Sequence, residues 1–147
     1  MAGPDELFLR ENRLSGPIPS ELGQLSSMFY FNLRHNELTG TIPTQLGNMK
    51  GLSWLILNEN NLSGPIPSEL GGFFALDDFW LQDNQLSGEV PEELSSLGMM
   101  DNSLGVFNIS GNPGLFGKVP DEVCSAANIT SFDCSATLCG CDCACSA

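Results

Sequence analysis

Apolar residues recur along the chain on two scales. Over short windows they alternate with other residues, as at Leu7/Leu9, Phe31/Leu33, Leu55/Leu57, Phe79/Leu81 and Phe107/Ile109. Alternation is the period of a strand with one buried face. Over longer distances the window returns every 24 residues. Ile18-Pro19, Ile42-Pro43, Ile66-Pro67, Val90-Pro91 and Val119-Pro120 place their prolines 24, 24, 24 and 29 apart. Asn12, Asn36, Asn60, Asn84 and Asn112 fall in step, as do Gly16, Gly40, Gly64, Gly88 and Gly117. The unit reads L-x-x-L-x-L-x-x-N-x-L-S-G-x-I-P-x-x-L-G-x-L. The fifth unit holds about four extra residues around Gly98–Ser103 and one near Pro113-Gly114.

Each column has a physical role. A lone strand buries nothing, so strands of this kind stack coil on coil into a parallel sheet with a continuous apolar interior. Asn falls where the chain turns after each strand, and its amide carries both a donor and an acceptor for enclosed backbone groups. The five Asn therefore read as a hydrogen-bond ladder. L-S-G-x-I-P supplies a second extended stretch whose Gly permits positive φ and whose Pro cannot donate to a ladder. The next four residues form one short helical turn, with Leu22, Leu46, Leu70 or Leu94 inward.

This pattern resembles the leucine-rich repeat in its plant-type subclass, marked by the L-S-G-x-I-P half. The resemblance covers residues 1–123, and the cysteine-rich stretch 124–147 reads as a C-terminal cap. It implies an α/β solenoid, a leucine-rich-repeat horseshoe. A parallel β-sheet lines its concave face, with short helical or 3-10 turns on the convex side. Such repeats are typical of receptor ectodomains and of secreted inhibitors of cell-wall-degrading enzymes. The tail is similar to cysteine-rich ends of algal and diatom members. The chain opens inside a coil, with no cysteine-bearing N-terminal cap and no signal peptide, and reads as a fragment.

Composition narrows the function. With 18 acids against 5 Lys+Arg the net charge is −13, which excludes a phosphate-binding surface and so a nucleic-acid partner. No apolar run reaches membrane-spanning length, so no direct membrane insertion is expected. The bases crowd into the start: residues 1–50 carry four, and residues 51–147 only Lys118.

On the strand face the outward triplets are Glu6/Phe8/Arg10, Tyr30/Asn32/Arg34, Trp54/Ile56/Asn58, Asp78/Trp80/Gln82 and Val106/Asn108/Ser110. Neighbouring strands align these residues in columns. Phe8, Tyr30, Trp54, Ile56 and Trp80 make an apolar, aromatic patch with Arg10, Arg34 and Asp78 beside it. Rigid aromatics with Arg are the usual anchors of interfaces; the plainer reading is rings packed on one another across strands. Asp77, Asp78, Asp83 and Glu59 form an acidic edge, read as a solvated face, a basic-partner site or a weak Ca²⁺ site. His35, the only histidine, reads as a surface turn residue, and no catalytic residue, metal site or cofactor is expected.

Cys124, Cys134, Cys139, Cys141, Cys143 and Cys145 form an even set that reads as a disulfide cap, Cys124 with Cys134 being the expected first pair. A soft-metal thiolate site is the rival reading. Asn61, Asn108 and Asn128 begin Asn-x-Ser/Thr sequons. The expected function is a non-enzymatic module binding a protein, peptide or glycan on the concave face. Such a module is extracellular or at the cell surface, as a secreted protein or part of a membrane-associated receptor. The alternatives are a structural or adhesive wall protein and an inhibitor of a polysaccharide-degrading enzyme.

Overall fold

The computed structural model describes residues 5–99 and 103–126, and the backbone of 131–133. The alternating windows form short strands: β1 (Glu6–Phe8), β3 (Tyr30–Asn32), β5 (Trp54–Ile56), β7 (Asp78–Trp80) and β9 (Val106–Asn108). They pair in parallel and in register, Leu7 beside Phe31, Phe31 beside Leu55, Leu55 beside Phe79 and Phe79 beside Phe107. A sixth strand, β11 (Ser131–Asp133), pairs in parallel with β9. The sheet thus continues one strand past residue 123.

The inward column is sealed. Phe31, Leu55, Phe79 and Phe107 have no exposed surface, and burying each such side chain is worth about 1.5–3 kcal/mol. Phe79 and Phe107 stack with centroids 5.4 Å apart.

The second extended stretch of each unit makes its own parallel sheet from β2 (Ser15–Pro17), β4 (Glu37–Gly40), β6 (Asn61–Gly64), β8 (Gln85–Glu89) and β10 (Gly114–Phe116). Each of its repeat glycines has positive φ, from +75° to +95°. Proline ends the stretch, and a five-residue 3-10 helix follows at Ser20–Gln24, Thr44–Asn48, Ser68–Gly72 and Glu92–Ser96. Leu46, Leu70 and Leu94 are fully buried, while Leu22, at the open end, is only partly so.

Coil spacing on this side is set by a second glycine column. A Cβ on Gly47 would lie 2.6 Å from the Glu69 carbonyl oxygen, closer than any real contact. Ser95 occupies the matching position of the fourth coil. Beyond it the turn is a four-residue α-helix, α1 (Asp121–Cys124), instead of a 3-10 helix. Cys124, in the glycine column, is buried. The other five cysteines and Asn128 lie outside the described residues.

The asparagine ladder is present. Asn60 Oδ1 accepts from the Leu38 amide at 3.1 Å. Its Nδ2 faces the carbonyls of Leu33 at 3.0 Å, Leu57 at 3.1 Å and Asn58 at 3.3 Å. Asn36, Asn84 and Asn112 repeat this geometry. Each side chain thus ties its own turn to the preceding coil. Asn12 has no preceding coil among the described residues, is exposed, and bonds only the Leu9 and Arg10 carbonyls.

Replacing Asn60 by Ala strands a buried N–H and buried carbonyls, each worth about 1–3 kcal/mol. Asn60→Ala should therefore cost roughly 3 kcal/mol or more in urea unfolding. Asn12→Ala should cost under about 1 kcal/mol, because water satisfies the same groups at the exposed end. Equal losses at the two positions would contradict the ladder.

Candidate functional site

The solvent side of the strand sheet carries the side chains singled out by their spacing. Register places Glu6, Tyr30, Trp54, Asp78 and Val106 in one column and Phe8, Asn32, Ile56, Trp80 and Asn108 in the next. The ladder runs on past the strands, through Leu9 N to Asn32 O and Glu11 N to Arg34 O. Arg10, Arg34, Asn58, Gln82 and Ser110 therefore form a third column.

Three rings make a continuous string. Phe8 stacks on Tyr30 with centroids 4.4 Å apart, and Tyr30 leans on Trp54 at 5.5 Å. Phe8 is 55% exposed, and Tyr30 and Trp54 are half-buried. The rings thus pack on one another and still present surface. A fourth ring, Phe29, meets Trp54 edge to face at 4.6 Å and is itself exposed. The alternation hides Phe29, because its parity matches the inward Phe31 and Leu33. It precedes the strand, where the chain is still turning and the two-residue period does not apply.

Trp80 stands apart from the string. Its Nε1 donates to Asp78 Oδ2 at 3.2 Å. Burial pushes the Asp78 carboxyl above its ordinary range, the Trp80 bond opposes this, and the Asp77 charge adds to the rise. The acidic edge divides here, since Glu59 is neutralised from the other side. Arg34 Nη2 and Nε each lie 2.9 Å from Glu59 Oε1, and His35 Nδ1 lies 2.9 Å from Oε2. The Asn58 amide adds a third donor to Oε1, at 3.0 Å. The His35 hydrogen bond, with Arg34 behind it, holds the Glu59 carboxyl below its ordinary range against the opposing effect of burial.

Glu59, His35, Glu11 and Asp83 all have φ between 53° and 57°. This left-handed turn costs an ordinary residue about 1 kcal/mol or more. The Asn beside it fixes the turn, so a row of titratable side chains is held along the rim. With Arg13, Arg34 and Asn61 they line a shallow, open, polar trough. Among the described residues no three His, Cys, Asp or Glu side chains converge in a metal-binding group.

Three of the outward residues are not solvated. Asn32, Asn58 and Gln82 are 2%, 1% and 9% exposed. Alternation points them toward solvent, but columns about 4.8 Å apart let large neighbours cover small ones. Asn32 is satisfied, donating to the Tyr30 hydroxyl and accepting from the Arg34 amide, both at 3.0 Å. Asn58 Oδ1 and Gln82 Oε1 are buried without a donor. Ile56 is half-buried beside Trp80. Arg10 is exposed and forms no ion pair among the described residues. Asn61 is exposed on β6, whereas Asn108 Oδ1 accepts from the Ser110 amide and hydroxyl at 3.0 and 2.8 Å.

Comparison with known proteins bears on both fold and site. Matches to the Leucine Rich Repeat family run over residues 5–25, 27–49, 51–73 and 75–97, more than half of the chain. The fold is similar to the plant peptide hormone receptor RGFR1, solved in complex with RGF2. That match has 36% identity and a TM-score of 0.80 over 87% of this chain and 20% of that one. It is also similar to the Arabidopsis receptor kinase HAESA, solved with the peptide hormone IDA and the co-receptor SERK1. Here identity is 31% and TM-score 0.78, over 88% of this chain and 21% of that one. In the BIR3–SERK2 complex from Arabidopsis thaliana the match has 32% identity and a TM-score of 0.73, over 92% of this chain and 72% of the other. The chain spans about a fifth of the length of the first solved structures it matches. Comparison with curated protein sequences gives no match.

The two perturbed carboxyls predict opposite pH effects. Glu59, with its folded pKa lowered from 4.5, adds stability that is present above that value and lost as pH falls through the folded pKa. Asp78, with its folded pKa raised from 3.8, disfavours the folded state at neutral pH, and that cost disappears on acidification. Thermal melts from pH 3 to 7 should therefore show Glu59→Gln lowering Tm at pH 7 and converging on the parent in acid. Asp78→Asn should raise Tm at pH 7 and also converge in acid. Shifts of the same sign for both would overturn the assignment.

Proposed function

The chain belongs to the leucine-rich repeat family, in its plant-type subclass, and on that basis we propose that it is a non-enzymatic recognition module binding a peptide or protein through its strand face. The observation that carries this reading is the ring string Phe8–Tyr30–Trp54. A rigid sheet holds these aromatics half out of water at no further ordering cost, the usual condition of an interface anchor. Ile56 and Trp80 extend the apolar surface, Arg10 and Asp78 flank it, and Arg34 is held in place by Glu59. The comparison proteins support the class of ligand, since RGFR1 and HAESA were solved with peptide hormones and HAESA and BIR3 with SERK partners. Placement at the cell surface or outside the cell follows the same kinship.

The test uses a phage-displayed library of random twelve-residue peptides panned on the intact chain. Enrichment is expected on the parent and on a Gln45→Ala control on the opposite side. It should fall at least severalfold on Trp54→Ala/Trp80→Ala. That variant must be shown to fold, because each lost ring contact removes about 0.5–1.5 kcal/mol. Equal enrichment on the double variant would remove the strand face as the binding surface, and with it the preference over a structural or inhibitory role.

The segment 124–147 is assigned, in the same reading, as a disulfide cap of a secreted or surface chain. Intact mass of protein secreted from a eukaryotic host should show six cysteines alkylated only after reduction. Glycan mass should map to the exposed Asn61 or to Asn128 more than to Asn108, whose side chain is already bonded. Free thiols carrying stoichiometric zinc or copper would replace the cap with a metal site.

A further inference from the structure

The strand face is electrically polar along one diagonal. Arg10 lies in the third column of the first coil and Phe8 in the second column beside it. Tyr30, Trp54 and Asp78 then follow one another in the first column of the next three coils. Cation and anion thus stand at opposite corners of four coils, and the straight line between them crosses Asn32 and Ile56 in the second column, with Phe8, Tyr30 and Trp54 along one side and Trp80 on the other. The line is open at both ends. Arg10 forms no ion pair among the described residues. Asp78 is half-buried and flanked by Asp77, and the hydrogen bond from Trp80 occupies its Oδ2.

From this placement we infer that the occupant is an extended peptide bearing a carboxylate over Arg10 and a Lys or Arg over Asp78, with an apolar residue over Ile56, between the flanking rings. This rests on the strand-face reading above and specifies its ligand. The spacing follows from sheet geometry. Three strand steps of about 4.8 Å and four residues of about 3.3 Å along the strand put the two ends roughly 20 Å apart. An extended chain covers that in five to six residues. A ligand cation at Asp78 also lies beside Trp54 and Trp80, where ring faces favour it. A peptide of reversed polarity would set like charges together at both ends, which penalises it. Other charges on the face do not blur this. Arg34 is taken up by Glu59, and Glu6 stands beside Tyr30, two columns from Arg10.

The experiment takes peptides enriched on the parent by the panning described above and resynthesises their consensus. The expected consensus carries Asp or Glu and Lys or Arg five or six positions apart around an apolar residue. By fluorescence polarisation it should bind the charge-reversed variant Arg10→Glu/Asp78→Lys at least about tenfold more weakly. A peptide with its two charges exchanged should recover binding to that variant. If the reversed variant fails to fold, Arg10→Gln and Asp78→Asn, each weakening binding severalfold, serve instead. Peptides that need Trp54 and Trp80 but carry no spaced charge pair, or ignore the reversals, would overturn the polarity and leave the strand face standing. Peptides indifferent to Trp54→Ala/Trp80→Ala, or no enrichment at all, would overturn both.

Discussion

A single carboxamide per coil makes this stack possible. Where the chain leaves each strand it must turn inside the molecule, and the turn encloses amides and carbonyls that no strand partner can reach. Asn36, Asn60, Asn84 and Asn112 answer this with one oxygen that accepts from the preceding coil and one amino group that reaches carbonyls of both coils. Because each of these side chains bonds both its own turn and the preceding coil, the ladder fixes register and pitch together. The left-handed residue just before each Asn and the glycines at 23, 47 and 71 are consequences of that pitch. One is forced by the turn, the other by how close the next coil then lies.

The same fixed pitch shapes the candidate surface. It brings side chains of successive coils within ring-stacking distance, so Phe8, Tyr30 and Trp54 support one another while remaining half exposed. Packing and recognition are therefore not competing accounts of these rings. A ring held by its neighbour loses little freedom when a ligand covers it. The packing that looked like the plainer reading is what makes the ring a good anchor. Crowding has a cost elsewhere, in the buried and donorless oxygens of Asn58 and Gln82.

Much of this was legible in the sequence, because a residue type repeated at one period has only one structural reading. The strand-face sheet, the second extended stretch with its positive-φ glycine, the Asn ladder and the column arrangement follow from the 24-residue spacing, whereas the pairing of the second stretches into a sheet of their own emerges only in the structure. What escaped is what depends on differences between coils. Phe29 hides behind the wrong parity. The Arg34–Glu59–His35 cluster joins residues 24 and 25 apart in sequence, so it emerges only once neighbouring coils are set side by side. Burial of Asn32, Asn58 and Gln82 depends on the size of neighbours in other coils, which a single unit does not encode. The strand at Ser131–Asp133 lies past the last Val-Pro mark, where the repeat no longer announces itself.

The departures from the repeat are also where the proposed binding face would draw its specificity. Consensus positions are consumed by the interior and the ladder, and any coil of this family would fill them alike. The outward columns are free of that demand, and here they are not random in charge: Arg10 and Arg34 fall in the first two coils and Asp77 and Asp78 in the fourth, with aromatics between. A regular ladder carrying an irregular outer face is suited to reading the order of side chains along an extended ligand, since strand spacing and peptide rise convert residue order into position. A pocket reads one group in depth; the surface proposed here as a binding face would read several in sequence. The −13 net charge sharpens that reading, because a ligand carboxylate finds few cations to meet and Arg10 is the one on this face left without an ion pair among the described residues.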